Sequence, residues 1–342
     1  MKTSNISSKA INYKKYILIF LAVVLLLLVS VLSLSLGRFT VSIKEIIGLF
    51  TGQSIPATAK HVIVNLRLPR LLGAILVGAA LSVSGSMYQS VFQNPLVSPD
   101  LLGVSSGACV GAALAIVMGL NSYLITSLSF VFGIISVALC IGISLLTKKK
   151  TNLILIFSGI IIGRFMDSLV GMMKYFADPE SQLGDIVNWQ LGTLSKVSLE
   201  NVAVMAPIII VCILLVIMLR WRINLLSLGE KEANSLGVNV VIERTLIIIL
   251  STLLTAMSVC FCGTISWIGL IIPHMARWIV GSDNRYSIPL CALLGSSFLV
   301  IADLIARAST DYELPLGVIT GLCGAPIFAA VLIGKSKRSE TL

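Results

Sequence analysis

The amino-acid sequence reads as an all-α integral membrane protein with about ten transmembrane helices. Three observations carry this reading. Of 342 residues, 57% are hydrophobic and 12% charged, where soluble domains carry about 25% charged residues. Mean hydropathy is +1.01. The apolar residues fall into runs, and the basic residues behind the net charge of +10 gather between them. Basic clusters between apolar runs mark cytoplasmic loops. No basic, aromatic-interleaved tract accompanies them, so nucleic acid is not expected as a partner.

The runs lie near 17–36, 69–92, 101–118, 124–146, 153–175, 198–220, 244–264, 267–281, 287–306 and 315–334. The first is about 20 residues long, enough to span a bilayer and longer than the roughly 7–15 of a signal-peptide core, so it is read as a retained span. The eighth is short and holds Pro273; it is either a broken helix or the tail of the seventh. Lys9, Lys14 and Lys15 precede the first run. Lys148 to Lys150, Arg220, Arg222, Arg277, Arg285, Lys335, Lys337 and Arg338 mark further cytoplasmic positions. Both termini inside demands an even number of spans, which ten satisfies. The organisation expected is a cytoplasmic tail over 1–16, one transmembrane domain over 17–334 and a cytoplasmic tail over 335–342, with a polar cytoplasmic element at about 224–242.

Small residues recur every fourth position: Gly78, Ser82 and Ser86; Gly103, Gly107, Gly111 and Ala115; Gly159 and Gly163; Gly317, Gly321 and Ala325. Such stripes let helices approach closely where lipid supplies no hydrophobic drive. The seven cysteines all stand in apolar stretches and read as small buried hydrophobes. His61 and His274 have no partner at ligand spacing, so no metal site and no cofactor is expected. Gly334-Lys335-Ser336 resembles the end of a phosphate loop, but the required first glycine is replaced by Ala329. Any use of ATP must fall to another chain.

The polar stretch NLLSLGEKEANSLGVNV, 224–240, interrupts this apolar chain. Ser227 and Glu230 fit a capping box, Glu230 and Glu232 put negative charge in a first turn, and Leu236-Gly237 reads as a stop. A helix over about 228–236, roughly 13 Å long, is too short to span. It is an amphipathic loop helix or a docking element.

Five stretches resemble the FecCD-like permeases of ATP-binding-cassette importers for iron-siderophores, haem and cobalamin. They are RLPRLLGAILVGAALSVSGSMYQSVFQNPLVSPDLLGVSSGA (67–108), DIVNWQLGTLS (185–195), LLSLGEKEANSLGV (225–238), GTISWIGLIIPHMARWIVGSDNR (263–285) and ADLIARASTDYELPLGVITGLCGAPIF (302–328). The resemblance implies the type II importer fold in a bacterial or archaeal plasma membrane. It implies two permease subunits, identical or paralogous, around one path, two cytoplasmic ATPase subunits and an extracytoplasmic binding protein. Ser227, Leu228, Gly229, Glu230, Glu232, Ala233, Leu236 and Gly237 would then form the ATPase-coupling element. Arg67, Arg70 and Arg307 would dock the binding protein; without the resemblance they read as interfacial anchors. Asn94, Leu96, Thr151 and Asn152 would form the cytoplasmic gate.

Arg164 and Asp167 depart from the apolar pattern implied for a fifth, path-lining span. Charges inside a membrane cost about 2.5–3.5 kcal/mol each on insertion scales and usually face protein or water. The pair is either self-neutralised and packed against another span, or part of the path, where an arginine suits an anionic chelate or oxyanion. The implied function is a permease subunit for a bulky metal chelate, ferric siderophore first, then haem, cobalamin or molybdate, with no chemistry on the cargo. An ion-coupled carrier using Arg164 and Asp167 is the rival class, but no internal repeat supports it. A membrane-embedded enzyme lacks converging acid, base or nucleophile residues.

Overall fold

The computed structural model describes residues 2–147, 152–310 and 312–339. They form α1 (Lys2–Ser35), α2 (Ile43–Phe50), α3 (Ala57–His61), α4 (Leu68–Val91), α5 (Val104–Val117), α6 (Ser122–Leu146), α7 (Asn152–Phe176), α8 (Gln182–Leu191), α9 (Leu199–Leu226), α10 (Glu230–Ser235), α11 (Val240–Cys262), α12 (Ile268–Val280), α13 (Asn284–Ala308) and α14 (Leu316–Ser339). Seven helical segments are long and apolar enough to cross a membrane, and α5, α12 and the 316–330 part of α14 are shorter apolar helices. Together they match the ten apolar runs. The eighth run is a helix of its own: Gly263 to Trp267 separates it from α11, and Pro273 lies within it.

The second span begins earlier than the apolar run that announces it. Helix continues from Ala57 through a π-helical turn over Val62–Arg67 into α4, making a 35-residue segment. Pro69 sits in the first turn of α4, where its missing N–H costs little.

α4 is the hub, with α13, α11, α12 and α9 packed around it. Its small residues permit this. A Cβ on Gly78 would stand 2.3 Å from the Gly295 carbonyl oxygen of α13, and one on Gly85 would stand 1.8 Å from that of Gly269 in α12. The α5 stripe meets α6 in the same way, Gly107 against Phe132 and Gly111 against Leu128, with hypothetical Cβ–oxygen distances of 2.5 and 2.2 Å. Buried hydroxyls bridge the same seams: Ser82 donates to the Cys291 carbonyl at 2.8 Å, Ser296 to Ile75 at 2.8 Å, and Ser84 to Ser251 at 3.0 Å. Close backbones plus interhelical hydrogen bonds are what hold helices together in lipid.

Candidate functional site: two polar ends and a charged face at membrane depth

At one end, α1 stops at Ser35 and leaves its last carbonyls without intrahelical partners. Two arginines supply donors. Arg67 gives Nη1 to the carbonyls of Leu34 and Ser35 and Nη2 to that of Phe39. Arg307, from the last turn of α13, gives Nη1 to Leu36 at 3.1 Å and Nη2 to the carbonyl and hydroxyl of Ser33. Their positive charge also meets the negative end of the α1 dipole. Arg70 forks between two carboxylates, with Nε 2.9 Å from Asp303 and Nη1 2.8 and 2.9 Å from the two oxygens of Glu313.

All three arginines are buried, at 5%, 9% and 7% exposure for Arg67, Arg70 and Arg307. This differs from interfacial anchors reaching into solvent, and the π-helical extension explains it: Arg67 sits within a helix, not at its mouth. The three contribute to the wall of a cleft of about 270 Å³, together with the exposed Arg38 and with Glu313. Four arginines against Glu313 and the buried Asp303, which pairs with both Arg70 and Arg307, leave the cleft net positive.

The opposite end lies across the 24 residues of α4, about 36 Å away at 1.5 Å per residue. Here the polar stretch folds differently from the capping box its spacing suggests. Ser227 is the C-cap of α9 and donates to the Asn224 carbonyl at 2.7 Å. α10 starts at Glu230 with Gly229 as N-cap and no side-chain cap bond. The reason is that α9 runs to Leu226, so Ser-x-x-Glu spans the turn between two helices.

The stop at Leu236-Gly237 does form. Gly237, at φ 80°, donates to the Asn234 carbonyl at 3.0 Å and Val238 donates to that of Ala233 at 3.1 Å, a Schellman ending. Glu230 pairs with Arg244 of α11, tying the short helix to the next span. Ala233 is fully buried, while Leu228 and Leu236, each 59% exposed, flank α10 with unpartnered apolar surface.

The gate candidates lie beside this element. Asn94 accepts the Leu96 N–H at 2.9 Å, closing the turn after α4, and Leu96 is exposed. Asn152, at the start of α7, donates to the Val91 carbonyl at 3.4 Å. Gln93, which sequence reasoning passed over, donates to the Leu226 carbonyl at 3.1 Å from a left-handed backbone at φ 50°. Asn152, Gln93, Glu230 and Arg244 line one cavity of about 10 Å³, room for a single water. Thr151 lies outside the described residues.

Between the ends, Arg164 and Asp167 pair at 3.5 Å, with side chains 83% and 50% exposed. Neither side chain is covered by another span among the described residues. Asp167 stands at the next four-residue step after Gly159 and Gly163 but is exposed, because four residues advance a helix by about 400°, a drift of about 40° per step away from the packed face. Gly159 touches the Leu101 carbonyl, where a Cβ would stand 2.1 Å away; Gly163 is looser, with its nearest neighbour at 3.9 Å; Gly171 has nothing within 4 Å. Asp100, exposed and bonded by the Ser105 hydroxyl, was also not singled out by its sequence context.

An all-helical bundle with a small-residue hub and a short polar helix hung from one end is the architecture of a type II ABC importer permease. The chain belongs to the FecCD transport family, which its residues 25–334 match. It is 37% identical to the molybdate import system permease of Haemophilus influenzae, over 94% of this chain and 96% of that one. It is 40% identical to a probable iron chelatin transport system permease of Helicobacter pylori, over 79% and 82%. A structure described as a putative metal-chelate type ABC transporter in an inward-facing conformation superposes with a TM-score of 0.86 at 36% identity, covering 92% of this chain and 98% of that one.

Proposed function

We propose that this permease carries a bulky metal chelate, ferric siderophore foremost, delivered by a binding protein and driven by two ATPase subunits. It does so from a bacterial or archaeal plasma membrane, with both termini cytoplasmic. The observation that carries the coupling half is the α10 element. Its helix is tied to α11 through Glu230 and Arg244, its neighbour α9 is bonded to the end of α4 through Gln93, and exposed Leu228 and Leu236 flank it. Exposed leucines beside a helix too short to span suit insertion into a groove on another protein. Closure of the ATPase pair then moves α10 as a rigid body and tilts α4, α9 and α11, with Asn94, Leu96 and Asn152 beside their ends.

The positive cleft at the other end suits a glutamate of the binding protein. Arg67, Arg70 and Arg307 set its charge from within, and Arg38 stands at the surface. A guanidinium pairs well with a carboxylate. A second permease copy, identical or paralogous, completes the path.

The iron chelatin relative supports a chelate as cargo. The molybdate relative, similar along nearly its whole length, favours an oxyanion as the second reading; haem and cobalamin follow. Gentle purification of the tagged protein from native membranes, with mass spectrometry of its companions, tests the assembly. Recovery of an ATPase and a binding protein is expected, and the ligand of that binding protein decides the cargo. Reproducible purification alone, with uptake persisting in vesicles without ATP, would overturn the reading.

A further inference from the structure

We propose that Arg164 is an anion-binding station half-way along the translocation path, and that Asp167 is the counter-ion it exchanges for cargo. The inference rests on the permease reading above and narrows the cargo to one that presents a negative group, a chelate carboxylate or an oxyanion.

Four observations carry it. Arg164 is at the thirteenth of the 25 positions of α7, near mid-membrane depth. Its side chain is 83% exposed, on the side of α7 away from Leu155, Ile162, Met166 and Val170, which pack into the bundle. A guanidinium so placed in lipid would be costly, so it faces water or protein.

The surface beside it is mixed. Ile160, Ile161 and Phe165 are exposed on its flanks, and Asp167, Ser168 and Gly171 continue a polar and small-residue stripe along the outward face. Such a stripe suits water or protein more than lipid.

The guanidinium is nearly free. Arg164 makes a single side-chain bond, to Asp167 at 3.5 Å, and its other N–H donors have no partner among the described residues. An exposed pair with one long contact holds weakly. A bidentate anion outcompetes it, and Asp167 returns when the anion leaves. Weak, exchangeable binding is what a path needs, since the cargo must also depart.

Ser168, one residue beyond Asp167 and exposed, offers a reporter position. Ser168→Cys in native membranes is treated with anionic and with cationic methanethiosulfonate reagents, from right-side-out and from inside-out vesicles. The unsubstituted protein, whose cysteines are buried except for the half-buried Cys323, gives the background. Labelling is expected, and the ratio of anionic to cationic rates should fall about tenfold when Arg164→Gln is added, and rise with Asp167→Asn. A reactive introduced thiol whose ratio ignores both substitutions overturns the anion station. An introduced thiol unreactive from both sides overturns the path-facing placement; its disulfide cross-linking to the same thiol of a second copy would then assign the face to a contact between copies. ATP-dependent uptake in the same vesicles is scored separately, so failure of the permease reading is recognised on its own.

Discussion

Arg67 and Arg307, 240 residues apart in the chain, converge on the carboxyl end of α1 and clamp Gly37 between them. A Cβ on Gly37 would stand 2.7 Å from Arg67 Nη2 and 3.3 Å from Arg307 Nη1. The glycine also holds φ at 147°, which a side chain resists. The clamp joins the first span to the π-helical turn before α4 and to the end of α13. Arg67→Ala should therefore leave the carbonyls of Leu34, Ser35 and Phe39 without its donors, a loss of about 1–3 kcal/mol. Gly37→Ala should destabilise less, by about 1–2 kcal/mol, because a side chain there strains the backbone. Thermal unfolding of the detergent-solubilised protein, followed by size-exclusion, measures both. A Gly37→Ala protein more stable than the parent would contradict the clamp.

Gly85 and Gly171 form a matched pair of glycines with opposite expectations. At Gly85 a methyl would meet the Gly269 carbonyl at 1.8 Å, backbone against backbone, and α4 and α12 must separate. Gly85→Ala should cost about 3 kcal/mol or more. At Gly171 nothing lies within 4 Å, so Gly171→Ala should be neutral or stabilising by up to about 1 kcal/mol through helix propensity. The same unfolding assay ranks them; equal effects would mean that the α4–α12 seam is looser than described.

These glycines also show which features were legible in the sequence. A small residue every fourth position is local information, and close packing follows from it directly, as for Gly78 and Gly107. What failed were inferences that depended on where a helix ends. Ser227 and Glu230 have capping-box spacing, but α9 continues to Leu226 and spends the serine on its own C-terminus. Arg67 looks like a residue ahead of a span because Leu-Arg-Leu-Pro-Arg holds two charges and a proline, yet helix runs through it. The outward turn of Asp167 follows from the drift of a four-residue step against a 3.6-residue turn. That Arg164 would be so exposed was not legible, since its side depends on which face α5 and α6 cover.

Asp283 caps α13 and offers a test in pH. Partial burial works to raise its carboxyl. The side-chain and backbone bonds from Arg285, the bond from Asn224 and the Arg285 charge outweigh this and hold it at about 2, below the ordinary 3.8. A depressed carboxyl stabilises the fold fully above its unfolded value and loses that contribution as pH falls through the folded value. Asp283→Ala should thus cost about 1 kcal/mol or more at neutral pH. The gap between parent and variant should stay constant down to about pH 4 and narrow towards about pH 2. Unfolding midpoints taken across that range read it; a gap that widens on acidification has the wrong sign.

The pair between Glu230 and Arg244 separates stability from coupling. Glu230 is half exposed while Arg244 is mostly covered, at 51% and 16% of their side chains. Such a pair contributes little to folding, about 0–1 kcal/mol, so Glu230→Gln and Arg244→Gln should unfold within a few degrees of the parent. Both should nonetheless lose uptake and cargo-stimulated ATP hydrolysis. They loosen the tie between α10 and α11, and a movement imposed on α10 then dissipates before it reaches the cavity shared with Gln93 and Asn152. The charge-swapped double variant, Glu230→Arg with Arg244→Glu, should recover a substantial part of the lost uptake if the tie is mechanical. Recovery absent in the swap, with the ATPase still bound, would mean that Glu230 acts on the partner surface directly and that the transmission to α4 runs through the Gln93–Leu226 bond alone.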